Sequence, residues 1–198
     1  MDDADLIARL RRGDDAAFGA LVTAHQPAML RLADAFLPSR ALAEEATQEA
    51  WIGLLRGLDR FEGRASLKTW LYAILVNRAR TIAARERRAV PFDHTNDARA
   101  EDPARFAADG SWTQAPVPFT EEIDDRLDDA PLVARLGPAL DALPPAQRIV
   151  VTLRDIDGLS SDDVCAMLEI TPANQRVLLH RARTGLRRSI EASLEGDG

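Results

Sequence analysis

Cysteine is almost absent from this chain. Cys165 is the only one among 198 residues, which excludes a disulfide framework and any paired-cysteine metal site. Histidine is nearly as scarce. His25, His94 and His180 are scattered and share no ligand spacing, so no metal or cofactor is expected. Aromatic residues are few at 5%, while Ala, Leu and Arg abound, a balance that favours helix. No apolar run approaches the length of a membrane span, so no membrane insertion is expected. The charged start, MDDADLIARLRRGDD, is not a secretory signal. These absences read as a soluble cytoplasmic protein. Catalytic signatures are missing too: there is no GxSxG, P-loop or dinucleotide fingerprint. Glu44, Glu45 and Glu49 lack the histidines that a Glu-x-x-His di-iron pattern needs. An enzyme is therefore not expected.

An excess of basic charge is also missing, since the formal net charge is −7. The acid is unevenly placed. Residues 97–130 hold ten acidic and three basic residues, and the remainder balances at 22 of each. Local basic faces, not the overall balance, set a footprint on nucleic acid.

What is present is amphipathic helix. Leu6, Ile7 and Leu10 form one stripe, and Gly13-Asp14-Asp15 breaks and recaps. Ala17–Leu37 continues with apolar residues at helical spacing, with Pro27 expected to kink or break it. A helix over Arg40–Leu58 turns Ala46, Ala50, Ile52, Gly53 and Leu54 inward. A loop, Asp59–Ala65, follows, and Ser66 caps a helix over Leu67–Arg88. From Ala89 to about Ala130, prolines, Gly110 and acidic residues replace periodicity. That composition reads as a flexible acidic linker. Helical patterning resumes with Leu132–Leu143 and Pro145–Ile156. The fold class is all-α: two small helical domains, 1–88 and 131–198, joined by the linker 89–130.

The last stretch, Gly158–Arg188, has the form of a helix-turn-helix. Ser160 or Ser161 caps a short helix that begins with Asp162 and Asp163 and has Val164, Met167 and Leu168 on one face. Cys165 is expected there as a small buried hydrophobe. Thr171 caps a second helix with Pro172 at its first position. No acidic residue interrupts that helix between Glu169 and Glu191, while Arg176, His180, Arg181, Arg183, Arg187 and Arg188 lie along it. A short helix, a turn and a basic second helix point to the DNA major groove. A solvated basic face on an ordinary helical hairpin is the plainer alternative. The first domain carries another basic element. Six arginines and Lys68 lie between Arg64 and Arg88 against Glu86 alone, with Phe61, Trp70 and Tyr72 near them. Such a mixture can track phosphates and hold an unstacked base. Trp70 also fits a core stripe with Leu67, Leu71, Ile74 and Leu75.

Three stretches in order resemble the extracytoplasmic-function (ECF) group of bacterial RNA polymerase sigma factors. Glu44-Glu45-Ala46-Thr47-Gln48-Glu49-Ala50-Trp51 resembles the group's acidic polymerase-binding helix. Phe61–Tyr72 with Asn77 is similar to its F-x-G-x-S-x-F-x-T-W-L-Y element, and Leu143 through Arg183 to its region-four domain. The resemblance implies a sigma factor that binds core RNA polymerase and directs it to promoter DNA. It implies that Glu45, Gln48, Glu49 and Arg56 contact the polymerase. It implies that Phe61, Arg64, Lys68 and Asn77 bind and melt the −10 element. Arg154, Arg176, Val177, His180 and Arg181 would then meet the −35 element, and an anti-sigma factor would be a further partner. Two positions depart from the group's recognition-helix pattern: Gln175 stands where an apolar residue is usual, and Leu178 where an arginine is. The competing reading is a stand-alone helix-turn-helix transcriptional regulator.

Overall fold

The computed structural model describes residues 3–92 and 130–195, and these fall into two compact units divided between Val90 and Pro91. Among the described residues every regular element is helical. Apart from its ends, the linker expected over 89–130 lies outside them.

Unit 1 is built from α1 (Asp3–Arg11), α2 (Asp15–Phe36), α3 (Arg40–Gly57) and α4 (Leu67–Arg85). Each boundary has a local cause. Asp14 accepts a hydrogen bond from the Ala17 amide and caps α2, Ser39 caps α3 through the Leu42 amide, and Ser66 caps α4 through the Thr69 amide. Of the kink or break expected at Pro27, the break does not occur: α2 runs unbroken from Asp15 to Phe36. A proline removes one amide donor, and the surrounding burial of Met29, Leu32 and Ala33 outweighs that loss. Helix α3 ends at Gly57, and a 3₁₀ turn over Leu58–Arg60 carries the chain into the 61–66 loop.

The core of unit 1 is formed by Met29, Leu32, Leu54, Leu71, Tyr72, Leu75 and Val76, all fully buried. Ala43, Ala46 and Ala50 let α3 approach its neighbours closely. Gly53 and Gly57 extend that approach: a Cβ on Gly53 would stand 3.0 Å from the Ile74 side chain, and one on Gly57 2.9 Å from the Trp70 ring. The acidic helix's Trp51 also faces inward. Its indole N–H donates to Gln26 Oε1 at 2.6 Å, and Phe18 meets its ring edge-on. Ile52 corrects the sequence reading. It is 47% exposed, because at 100° per residue it falls on the side of α3 opposite the Ala43–Ala46–Ala50–Leu54 stripe.

Unit 2 contains α5 (Ala130–Asp141), α6 (Pro145–Val151), α7 (Ser161–Leu168) and α8 (Pro172–Glu195). The helix expected over Pro145–Ile156 changes form midway. After Val151 it widens into a π-turn over Thr152–Ile156, closed by the Asp157 amide on the Thr152 carbonyl at 2.8 Å. Helix α8 is the spine. Ala182, Leu186 and Ile190 pack against Ala139, Leu143 and Val151.

Candidate functional site

The turn of the helix-turn-helix follows the sequence reading closely. Ser160 caps α7 through the Asp163 amide at 3.1 Å, and Thr171 caps α8 through the Asn174 amide at 3.1 Å. Between them Glu169 takes the left-handed conformation, φ 57, and ends α7. At 100° per residue, Arg176, Val177, His180, Arg181, Thr184, Arg187 and Arg188 occupy one arc of about 140° on α8. Leu178, Ala182, Leu186 and Ile190 occupy the buried opposite arc. The structure therefore brings Arg176, Val177, His180 and Arg181 to one face. All four are half-buried.

Both departures from the usual pattern fall on the inner side of α8. Leu178 is buried, and Gln175 is 2% exposed. The Gln175 amide is engaged at both polar atoms: its Oε1 accepts from Ser161 Oγ at 2.6 Å, and its Nε2 donates to the Ser161 carbonyl at 3.1 Å. It fixes the start of α7 on α8, as a buried polar group must if it is not to be costly. Arg183 is likewise an internal residue. It forms a two-pronged pair with Asp155, both bonds at 2.8 Å, and ties the π-turn to α8. Arg154 turns its guanidinium to the Leu159 carbonyl, within the segment between α6 and α7. Cys165 is half-buried, not buried as expected. Burial raises its thiol pKa, and the Ser161 hydrogen bond and the Arg154 and Arg176 charges oppose that rise. Both arginines thus lie within electrostatic reach of the same thiol.

In unit 1 the candidate residues divide between two places. Glu45, Gln48, Glu49, Ile52, Leu55 and Arg56 recur at helical spacing along the outer face of α3. Ile52 and Leu55 are about half exposed, at 47% and 49%. A groove of about 450 Å³, lined by Glu49, Ile52, Gly53, Arg56 and Arg78, runs beside them. Two of the acids make loose pairs with α4: Glu49 with Arg78 at 3.9 Å and Glu45 with Arg85 at 3.6 Å. The sequence reading turned Ile52 inward and passed over Leu55, so neither was expected on this outer face. Their signal was their position between charged neighbours one helical turn apart.

The second place is the 61–66 loop and the start of α4. Phe61 stacks on Trp70, centroids 4.7 Å apart and planes 28° from parallel. A groove of about 490 Å³ beside this stack is lined by Arg60, Phe61, Arg64, Thr69, Trp70 and Ala73, among others. Arg64 is exposed and pairs with Glu62 at 2.6 Å. Asn77 is exposed on α4, seven residues after Trp70 and so nearly in line with it. Lys68 is not brought to that face, because nine residues separate it from Asn77 and place it about 180° away. Its ammonium lies 5.7 Å from the centre of the Tyr72 ring. Tyr72 is fully buried and meets His25 edge-on, so it belongs to the core and not to an exposed aromatic set.

Two stretches of the chain match known families: residues 21–89 match Sigma-70 region 2, and residues 134–186 match Sigma-70, region 4. The RNA polymerase sigma-H factor of Pseudomonas aeruginosa is 31% identical over 193 residues, 97% of this chain and 95% of that protein. The chain belongs to the sigma-70 family, within its ECF group. The ECF RNA polymerase sigma-E factor of Escherichia coli is 29% identical over 191 residues, covering 96% of this chain and 95% of its own length. Two solved structures share the fold with a TM-score of 0.54 each. One is CnrH in complex with the cytosolic domain of CnrY, at 21% identity and 99% coverage of both chains. The other is the sigma factor RpoE in complex with the anti-sigma factor NepR from Bartonella quintana, at 20% identity, covering 88% of this chain and 96% of that one. The protein is a promoter-specific sigma factor of RNA polymerase. No described helix is long and apolar enough to cross a membrane.

Proposed function

We propose that the sigma factor divides promoter reading between its two units, with residues 1–88 binding core polymerase and the −10 element and residues 131–198 binding the −35 element. The outer face of α3 is the observation that carries this reading. Glu45, Gln48, Glu49 and Arg56 stand there around exposed Ile52 and Leu55, a polar rim with two carboxylates at its N-terminal end around an apolar centre, where the carboxylates suit a basic helical partner. Charge on the rim speeds and orients docking, and the two aliphatic side chains supply the area removed from water.

In this reading Phe61, Arg64 and Asn77 face the melted −10 strand. The Phe61–Trp70 stack and the groove beside it receive a flipped base. Unstacking costs a few kcal/mol, which stacking and edge hydrogen bonds in the groove must offset. Lys68, on the other side of α4, meets phosphate. In unit 2, Arg176, Val177, His180 and Arg181 enter the major groove, with Arg154 at its edge. Arginine there reads guanine or holds phosphate, and only the first gives sequence choice. The protein acts as an initiation factor in the cytoplasm, not as an enzyme. An anti-sigma factor that binds and silences it is the proposed regulatory partner, a reading supported by the complexes in which its structural neighbours were solved.

Promoter-dependent transcription reconstituted with core polymerase tests the division of labour. Arg176→Ala is expected to weaken −35 binding and Asn77→Ala to slow melting, each without loss of core binding. A chain that ignored core polymerase and protected a palindrome as a dimer would instead be a stand-alone regulator. Open-complex formation unchanged in both variants would remove these residue assignments.

A further inference from the structure

We propose that α1 is a clasp that positions the 61–66 loop for base capture, with Arg11 and Asp3 as its positioning residues. The proposal rests on the assignment of that loop to the −10 element. Three elements of geometry carry it. Arg11 donates from Nε and Nη2 to the Leu58 carbonyl, at 3.2 and 3.0 Å, and from Nη2 to the Phe61 carbonyl at 2.8 Å. At the far end of the loop, Asp3 Oδ2 accepts from the Leu67 amide at 2.9 Å. One helix thus grips the loop where it enters and where it leaves. The loop between the grips includes Gly63 in the left-handed region, φ 73, and the exposed Glu62–Arg64 pair.

The side-chain types suit the task. An arginine fork presents several donors in one plane and can hold two carbonyls together, whereas a lysine ammonium is a single point donor group. Both acceptors are backbone atoms, so the grip fixes the path of the chain and leaves the Phe61 ring free to stack on Trp70. A clasp also needs an anchor of its own. Leu10 is buried, and Arg9 pairs with Asp14, the cap of α2, at 2.8 Å. Helix α1 is therefore fastened to the bundle on one side and to the loop on the other. It lies before residue 21, where the match to Sigma-70 region 2 begins. Holding the loop before DNA arrives removes ordering that binding would otherwise have to supply.

The test uses polymerase holoenzyme reconstituted with the full chain. The probe is a fork-junction DNA library, randomised separately in its upstream duplex and in its unpaired non-template strand, and sequenced before and after capture. The wild type is expected to enrich bases in both regions. Arg11→Ala is expected to reduce enrichment at the unpaired positions about tenfold, with duplex enrichment and core binding unchanged. Arg11→Lys recovers part of that loss. A merely structural role would move core binding and both enrichments together. Unpaired-strand enrichment equal to wild type in Arg11→Ala overturns the clasp. If Arg11→Ala also costs core binding, Asp3→Ala decides: flattened unpaired-strand enrichment supports the clasp, and preserved enrichment overturns it. A wild type with no unpaired-strand preference would instead overturn the loop's assignment to the −10 element.

Discussion

In unit 1 two of the residues proposed to meet the −10 element, Phe61 and Arg64, stand on a loop held by its backbone carbonyls, while in unit 2 all those proposed to meet the −35 element except Arg154 stand on a helix held by side-chain pairs. The Arg11 fork grips Leu58 and Phe61. The Arg183–Asp155 fork and the Gln175–Ser161 pair grip α8. The difference follows from the DNA that each surface is proposed to meet. Duplex DNA has a regular groove, and a rigid helix can be prepared for it in advance. A flipped base must be caught after it leaves the stack, which favours a loop with a fixed path and an open tip. Basic residue counts hide this division. Arg183 and Arg11 both support structure, yet the sequence gives them the same appearance as Arg176.

The largest expected effect tests whether the two units are energetically separate. Leu71 is fully buried at the centre of unit 1. Leu71→Ala is expected to destabilise that unit by about 3 kcal/mol through lost burial and the cavity left behind. Hydrogen exchange should accelerate across α1–α4 and stay unchanged across α6–α8. Equal acceleration in both units would show that they unfold as one body and would break the comparison.

Next in size is the fork that holds α8. Asp155 is 11% exposed at its side chain and Arg183 29%. Asp155→Ala leaves a partly buried guanidinium without its partner, at a cost of about 2 kcal/mol to unit 2. The double variant Asp155→Leu with Arg183→Met is expected to regain most of that, since removing both charges leaves nothing unpaired. Chemical denaturation reads both. A double variant as weak as the single one would mean that the pair is worth more than its isosteric replacement.

A smaller effect distinguishes the units by pH. Burial, then the nearby Lys68 charge, lowers the His25 pKa. Above about pH 6.5 the histidine is neutral whether the chain is folded or unfolded. As pH falls below that, the unfolded chain binds the proton more readily than the folded one, so unit 1 loses stability. The unfolding midpoint of unit 1 should fall as pH drops below about 6.5, and His25→Phe should flatten that fall. A midpoint in His25→Phe that still tracked pH as steeply would assign the effect to other groups.

Much of this architecture was legible in the sequence. Caps announced themselves, because Ser66, Ser160 and Thr171 are small oxygen-bearing residues set just before apolar periodicity. The basic arc of α8 was readable from the one-signed charge of that helix and its spacing. What escaped was whatever depended on contacts distant in the chain. Arg11 meets carbonyls 47 and 50 residues away, and nothing in its neighbourhood marks it. A break at Pro27 was one of two outcomes that local chemistry offered, and it does not occur because α2 packs along α3 and α4, whose contacts are distant in the chain. Ile52 was misread because an aliphatic side chain suggests burial, whereas its position, two residues from Ala50 and from Leu54, puts it on the outer face of α3. Gln175 read only as a departure from the group's recognition-helix pattern, a polar residue where an apolar one is usual. Its amide instead has both partners on Ser161, which is visible only once α7 and α8 are packed.

The smallest effect on stability is expected where the proposed effect on binding is clear. Glu49 stands 3.9 Å from Arg78, and both side chains are about half exposed. Such a pair is well solvated, so Glu49→Gln is expected to change the stability of unit 1 by under about 0.5 kcal/mol. The same carboxylate belongs to the rim around Ile52 and Leu55, where it is proposed to face a basic partner. Glu49→Gln should therefore slow association with core polymerase several-fold at low salt, with the difference shrinking as salt is raised. Ile52→Asp acts on the apolar centre of the face and should instead speed dissociation at every salt concentration. Stopped-flow association and dissociation rates separate the two. If Glu49→Gln destabilised the unit yet left association unchanged, the acidic face of α3 would belong to the fold of unit 1, and the polymerase contact would have to be sought on another surface.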